Sequence, residues 1–171
     1  VVWPGVDTAV FRAGAGRRHR IAYMPRKWPE LADRLRERAM GAIEWYPIDK
    51  ATEQETADIL AGSTVFLNLG RKEGFGLPPL EAMAAGCVVC GFAGEGTSDF
   101  ATAQNGFWAD EGDIAGCLRA IAGATAAAAD PDRAAPLIRA GQQTVARFSL
   151  AAFETAMADY IAACTRAHPK I

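Results

Sequence analysis

Two carboxylates, Glu73 and Glu81, stand with seven residues between them in the string Glu73-Gly74-Phe75-Gly76-Leu77-Pro78-Pro79-Leu80-Glu81. Between them lie two glycines, which let a backbone turn sharply and approach a ligand closely. Two prolines follow, suited to a first helical turn, where amide hydrogens have no intrahelical partner. A glycine loop that opens a helix presents free N–H groups and the positive end of the helix dipole, so it is an anion site. Glu73 would sit at the mouth of that site and Glu81 about one turn inside the helix, reaching different parts of one ligand. A second set of candidates is the cationic pair Arg26 and Lys27, after an apolar run at Arg20-Ile21-Ala22-Tyr23-Met24. A cation at the end of that strand can face the phosphates of a ligand held at the Glu73 loop.

The elements that must hold these residues follow from pattern. Thr64-Val65-Phe66-Leu67-Asn68-Leu69 is a mostly apolar run with β-branched and aromatic members, as in a strand buried on both faces. It leads into the glycine loop, then a helix to about Ala85, with Gly86 as its C′ stop. Cys87-Val88-Val89-Cys90 is the next strand. The order strand, glycine loop, helix, strand places the anion site at the carboxyl end of a parallel sheet, where open α/β sheets bind ligands.

The whole string E-G-F-G-L-P-P-L-E-A-M-A-A-G resembles the E-x7-E signature of retaining, nucleotide-sugar-dependent glycosyltransferases of the GT-B fold, in the group called family four or group one. The resemblance implies that a donor diphosphate sits on the backbone from Gly74 through Phe75, Gly76 and Leu77 to Pro78, helped by Arg26 or Lys27. It implies that Glu81 accepts hydrogen bonds from ribose hydroxyls. Glu73 would hold a donor-sugar hydroxyl and stabilise positive charge at the anomeric carbon. Tyr46 and Pro47, in the step after the second strand, become candidates for the nucleotide base, with strand-end packing as the other reading. The nucleotide-sugar is a substrate; no cofactor and no metal are implied.

Softer matches lie along the chain. Pro4-Gly5-Val6-Asp7 with Phe11 resembles the connector by which such enzymes enter their second domain. The other reading is a terminal loop packed through Trp3 and Phe11. Gly94-Glu95-Gly96-Thr97 loosely matches a G-G-x-x-E segment, in a loop or short helical turn. Asn105-Gly106-Phe107-Trp108 resembles a step into a short strand, and Phe148-Ser149-Leu150 the step before the last helix. The expected fold is a Rossmann-like, doubly wound parallel α/β sheet forming one domain over residues 1–171, the donor half of a GT-B enzyme. Residues 1–19 would be connector and loop, and residues 150–171 a helix packing back toward an acceptor domain that is absent here. Val1, not Met, begins the chain, as in a piece of a longer protein.

Local signals place the remaining elements. Residues 12–19 read as a mobile loop whose Arg17-Arg18-His19 cluster is solvated surface. A helix is expected from Pro29 to Met40, with Leu31, Leu35 and Ala39 on one face. A strand follows at Ala42–Tyr46. Thr52-Glu53-Gln54-Glu55 is a capping box opening a helix that Gly62 closes. Asp113 caps a helix holding Ile114, Cys117, Leu118 and Ile121. Residues 122–132 are alanine-rich with little to anchor them, and a further helix is expected from Pro136 to Phe148. Ser149 is the expected N-cap of the last helix, whose stripe Phe153, Met157, Tyr160, Ile161 and Cys164 reads as core.

Composition narrows the function classes. A net charge of -2 over 171 residues gives no electrostatic case for nucleic acid. No apolar stretch is long enough to span a bilayer, although a full-length enzyme acting on a lipid acceptor would meet a membrane surface. Cys87 and Cys90 form a C-x-x-C, but residues three apart on a strand face opposite ways and cannot bridge. The four cysteines suit a reducing cytoplasm, and His19 and His168 are too far apart for an ordinary zinc site. No G-x-G-x-x-G follows the first strand, against a dehydrogenase. Nothing places Glu73 and Glu81 across one bond, against a glycosidase. A nucleotide-binding module without turnover is the other class that fits.

Overall fold

A computed structural model describes residues 2–39, 41, 43–70 and 74–167, with Lys27 and Ala167 described by backbone alone. Five strands, β1 (Arg18–Tyr23), β2 (Glu44–Pro47), β3 (Ser63–Asn68), β4 (Val88–Phe92) and β5 (Gly106–Ala109), form one sheet in the order β2-β1-β3-β4-β5. Every pairing is parallel. The helices are α1 (Pro29–Arg38), α2 (Glu53–Ala61), α3 (Leu77–Ala84), the single turn α4 (Gly94–Thr97), α5 (Ile114–Ala128), α6 (Pro131–Ala146) and α7 (Leu150–Ala167).

Strand alternation sorts the core into two layers. Ile21, Tyr23, Val65, Leu67, Val88, Cys90 and Phe92 pack with Leu31 and Leu35 of α1 and with Cys117, Ile121 and Ala124 of α5. On the other face Ala22, Phe66 and Val89 pack with Leu60 of α2, Leu80 and Met83 of α3, and Val145 of α6. Cys87 lies in the second layer and Cys90 in the first. Both thiols are free, as the period-two argument requires.

The caps and the helix stop at Gly86 form as their residue types predict. Thr52 Oγ1 accepts the Glu55 amide at 3.2 Å, and the Glu55 carboxylate accepts the Thr52 amide at 2.7 Å. Those contacts hold the Glu55 carboxyl below its ordinary range, the amide contributing most. Asp113 Oδ1 accepts the Gly116 amide at 2.8 Å. Gly86, at φ 78°, ends α3 in a Schellman motif: its amide donates to Met83 and that of Cys87 to Ala82. Ser149 Oγ accepts the Ala152 amide at 3.2 Å.

Three expectations need correction. First, β1 begins at Arg18, and the basic cluster is not simply solvated surface: Arg17 Nε donates to the Ser63 carbonyl at 3.1 Å. Second, the alanine-rich stretch is well anchored. α5 continues to Ala128, and α6 starts at Pro131 with Asp130 accepting the Asp132 amide, so Pro136 lies within it. Buried Ala124, Ala127 and Ala134 supply the anchor, because small side chains let helices approach closely. Third, the α7 stripe is not core: Tyr160 is 59% and Ile161 57% exposed, and Cys164 is exposed. The connector packs, in agreement with the reading that seats it through Trp3 and Phe11. Val6 donates to the Phe148 carbonyl and accepts from the Leu150 amide, and Phe11 is buried.

Candidate functional site

The strand order places a switch between β1 and β3, with β2 on one side and β4 and β5 on the other. At such a switch the loops leaving neighbouring strands diverge and open a crevice at their carboxyl ends. Here β1 runs into a single 3-10 turn, Pro25–Lys27, while β3 runs toward the glycine loop and α3. A narrow pocket between them is lined by Met24, Arg26, Asn68, Leu69, Gly70 and Pro78.

Next to it lies an open cleft of about 590 Å³, lined among others by Arg26, Ile48, Asp49, Lys50, Glu53, Thr56, Leu77, Pro78 and Glu81. Four of the residues expected at the site, Arg26, Leu77, Pro78 and Glu81, therefore share one cavity. Arg26 is exposed and Glu81 half-buried. The amino ends of both α2 and α3 border the cleft, and their dipoles favour negative charge there. Glu73 lies outside the described residues, as does the side chain of Lys27.

The start of α3 explains what the backbone can offer. Gly76 is the N-cap in the left-handed region, φ 89° and ψ 58°, which glycine adopts without strain. Leu77 is N1, so Pro78 and Pro79 occupy N2 and N3. Neither proline has an amide hydrogen. An amide donor to an anion at this helix start can therefore come no further along than Leu77, which shortens the expected cradle by one residue; Phe75 and Gly76 are buried, and of this stretch Leu77 and Pro78 line the cleft. Gly74 is exposed, and a Cβ there would meet open space.

The Phe75 side chain points away from this opening. Its ring stacks on Trp3 at 5.2 Å and meets Phe148 at 5.3 Å and Phe100 at 5.9 Å. Only its backbone is on offer to a ligand; its side chain anchors the loop to the connector and to the segment before α7. Tyr46 and Pro47 line an adjoining depression of about 400 Å³ with Asp49 and Lys50. The Tyr46 ring is engaged by the Arg20 guanidinium 4.2 Å from its centroid.

The reading from sequence missed Asp49, Lys50, Glu53 and Thr56. The capping box could have found them, since it fixes the start of α2 and leaves a short loop between Pro47 and Thr52 at the carboxyl edge of β2. Lys50 holds φ 51°, a left-handed conformation that costs a non-glycine residue on the order of 1 kcal/mol. Among the described residues no group of three or more His, Cys, Asp or Glu side chains is placed to hold a metal ion. No helix among them is long and apolar enough to cross a membrane.

Comparison with known proteins agrees with this geometry. Residues 48–143, more than half of the chain, match the family described as Glycosyl transferases group 1. Over 53 residues the sequence is 36% identical to an alpha-1,6-glucosyltransferase of Actinobacillus pleuropneumoniae serotype 7, spanning 31% of this chain but 16% of that protein. The C-terminal domain of the group 1 glycosyltransferase LpcC from Francisella tularensis is similar with a TM-score of 0.65 at 17% identity. The match covers 85% of this chain and 100% of that domain. Anabaena HepE, solved in complex with UDP-glucose, is similar with a TM-score of 0.79 at 12% identity, over 95% of this chain and 57% of HepE. At those identities the likeness concerns the fold, which is that of GT-B C-terminal domains. With the family match running across the loop after β2, the glycine loop and the helices behind them, the chain belongs to the group 1 glycosyltransferases.

Proposed function

We propose that this chain is the donor half of a retaining glycosyltransferase that moves a sugar, of the hexose type, from a nucleotide-sugar to a glycan, lipid or small-molecule acceptor. The observation that carries the reading is the sharing of one cleft, at the β1/β3 switch, by Arg26, Glu81 and the start of α3. The diphosphate lies against the amides from Gly74 to Leu77, with Arg26 or Lys27 beside it. Breaking the glycosyl–phosphate bond leaves negative charge on that diphosphate, and fixed dipoles and cations aimed at it lower the barrier. Glu81, ionised, accepts hydrogen bonds from the ribose hydroxyls. Glu73 holds a hydroxyl of the donor sugar and stabilises positive charge at the anomeric carbon. The base lies over the loop holding Asp49 and Lys50, beside Tyr46 and Pro47. HepE's complex with UDP-glucose supports a sugar-nucleotide as the ligand class.

The acceptor groups belong to a second domain, toward which the exposed face of α7 turns. Buried, unbridged thiols at Cys87, Cys90 and Cys117 suit work in the reducing cytoplasm. Calorimetry on this chain with UDP, GDP, ADP and their glucose conjugates tests the reading. One of the series binds, weakly, and no sugar is transferred. Glu81→Ala weakens that binding by about 1–3 kcal/mol, the scale of lost hydrogen bonds to a charged group. No heat with any of them, or wild-type affinity in the variant, removes the donor site.

A further inference from the structure

Asn68, the last residue of β3, is 3% exposed, and both ends of its carboxamide are used. Nδ2 donates to the Phe92 carbonyl at 2.8 Å, and Oδ1 accepts the Gly70 amide at 3.2 Å. The partners fix the orientation, since a carbonyl only accepts and an amide N–H only donates. Phe92 ends β4, so one side chain ties together the carboxyl ends of two strands.

Those ends are pressed close. Asn68 pairs with Gly91, which holds φ 119°, and a Cβ on Gly91 would overlap the Asn68 carbonyl oxygen. Both strands then depart toward the site. From Gly70 the chain runs to the glycine loop and α3. From Phe92 it runs through Ala93 to α4, where a Cβ on Gly94 would lie 3.8 Å from the Gly70 carbonyl. Asn68 also lines the narrow pocket it shares with Arg26 and Pro78. A leucine at 68 would leave the Phe92 carbonyl and the Gly70 amide without this partner. An aspartate would keep the Gly70 bond but turn a carboxylate toward the Phe92 carbonyl.

We propose that Asn68 is a positioning residue that sets the pose of two loops at once, the glycine loop after β3 and the α4 loop after β4, against the ligand in the cleft. This rests on the donor-site reading above. A side chain that merely steadied the sheet would act on stability alone. Asn68→Asp and Asn68→Leu are therefore compared with Ser63→Ala, which removes a buried hydrogen-bonding group at the opposite end of the same strand.

The test is calorimetry with UDP, GDP and ADP on the whole chain, below the unfolding range of every variant, beside thermal unfolding and amide NMR shifts of the unliganded chain. Both Asn68 variants lose about tenfold in affinity for the nucleotide that the wild type binds. They also shift the Gly74, Gly76 and Gly94 amides, whereas Ser63→Ala lowers the melting temperature and leaves affinity and those shifts unchanged. Wild-type affinity in a folded Asn68→Asp overturns the proposal, and so do unmoved Gly74, Gly76 and Gly94 amides. If the wild-type chain binds none of the three nucleotides, the donor reading fails while the amide shifts still decide whether Asn68 poses the loops.

Discussion

At the amino end of the sheet Arg20 is 8% exposed; its Nε donates to Ser63 Oγ at 2.8 Å and its Nη2 to the Ile59 carbonyl at 3.2 Å. Ser63 Oγ in turn donates to Ile59 at 2.6 Å, and Cys87 Sγ to the Leu60 carbonyl at 3.3 Å. At the carboxyl end Arg26 stands exposed beside an open cleft with half-buried Glu81 across from it. The same residue type thus does opposite work at the two ends of one strand. Where protein acceptors surround it, arginine closes the exit of α2 and joins β1 to β3. Where the loops diverge, arginine stands exposed on an open cleft. The difference teaches that β1 and β3 are clasped at their amino ends while the loops leaving their carboxyl ends part.

Removing the fastening has the largest expected effect. Arg20→Met loses two charged hydrogen bonds, one of them the bond that Ser63 Oγ accepts, and the contact with Tyr46, which should cost about 3 kcal/mol of unfolding free energy. Denaturant unfolding measures it, and nucleotide affinity measured in calorimetry stays at the wild-type value. A fall in affinity as large as the fall in stability would merge the two ends into one unit.

The second effect is a pH dependence of the closed end. Burial pushes the Cys87 thiol up to about 11, against the pull of nearby Arg17. Burial also raises Cys117 to about 12 and raises Cys90 well above the ordinary thiol range. A folded thiol then stays protonated while its unfolded counterpart ionises. The contribution is whole below the ordinary thiol range near pH 9 and is lost as pH climbs toward 11. For Cys87 alone the loss is about 3 kcal/mol at the top of that window, read from urea unfolding at stepped alkaline pH. Cys87→Ala should shrink the alkaline loss; an unchanged curve would mean that the thiol is not held in its protonated form by burial.

The smallest change in stability, and the sharpest in function, belongs to the open end. Among the described residues nothing lies within 4 Å of a Cβ added at Gly74. Gly74→Ala should therefore alter unfolding by less than about 0.5 kcal/mol. It should still weaken nucleotide binding by about 1 kcal/mol, because the methyl group occupies the space through which an anion reaches the loop amides. Unaltered affinity would move the anion away from Gly74.

Much of this was legible in order along the chain. The capping box at Thr52, the C′ glycine at 86, the N-caps at Asp113 and Ser149 and the apolar runs of β3 and β4 are local features, decided by backbone hydrogen bonds within a few residues. So was the glycine loop, because φ 89° at the N-cap of α3 and prolines behind it are written in residue type. The Arg20 clasp, the anchoring of the alanines in α5 and α6 and the exposure of the α7 stripe were not. The Arg20 clasp depends on partners 39 or more residues away, the alanines on packing against other elements and the α7 stripe on a helix face left exposed, and periodicity is blind to all three.

The amino-acid sequence by itself determined a parallel α/β domain with a glycine loop opening α3 after β3, because glycine, proline and capping residues act on their own backbone. Tertiary structure alone decided that Glu81, Arg26 and the loop at Lys50 border one cleft, and that the Phe75 ring turns inward to Trp3. Those outcomes follow from the strand order β2-β1-β3-β4-β5, which brings distant loop ends side by side, and from packing, which assigns each side chain to core or opening.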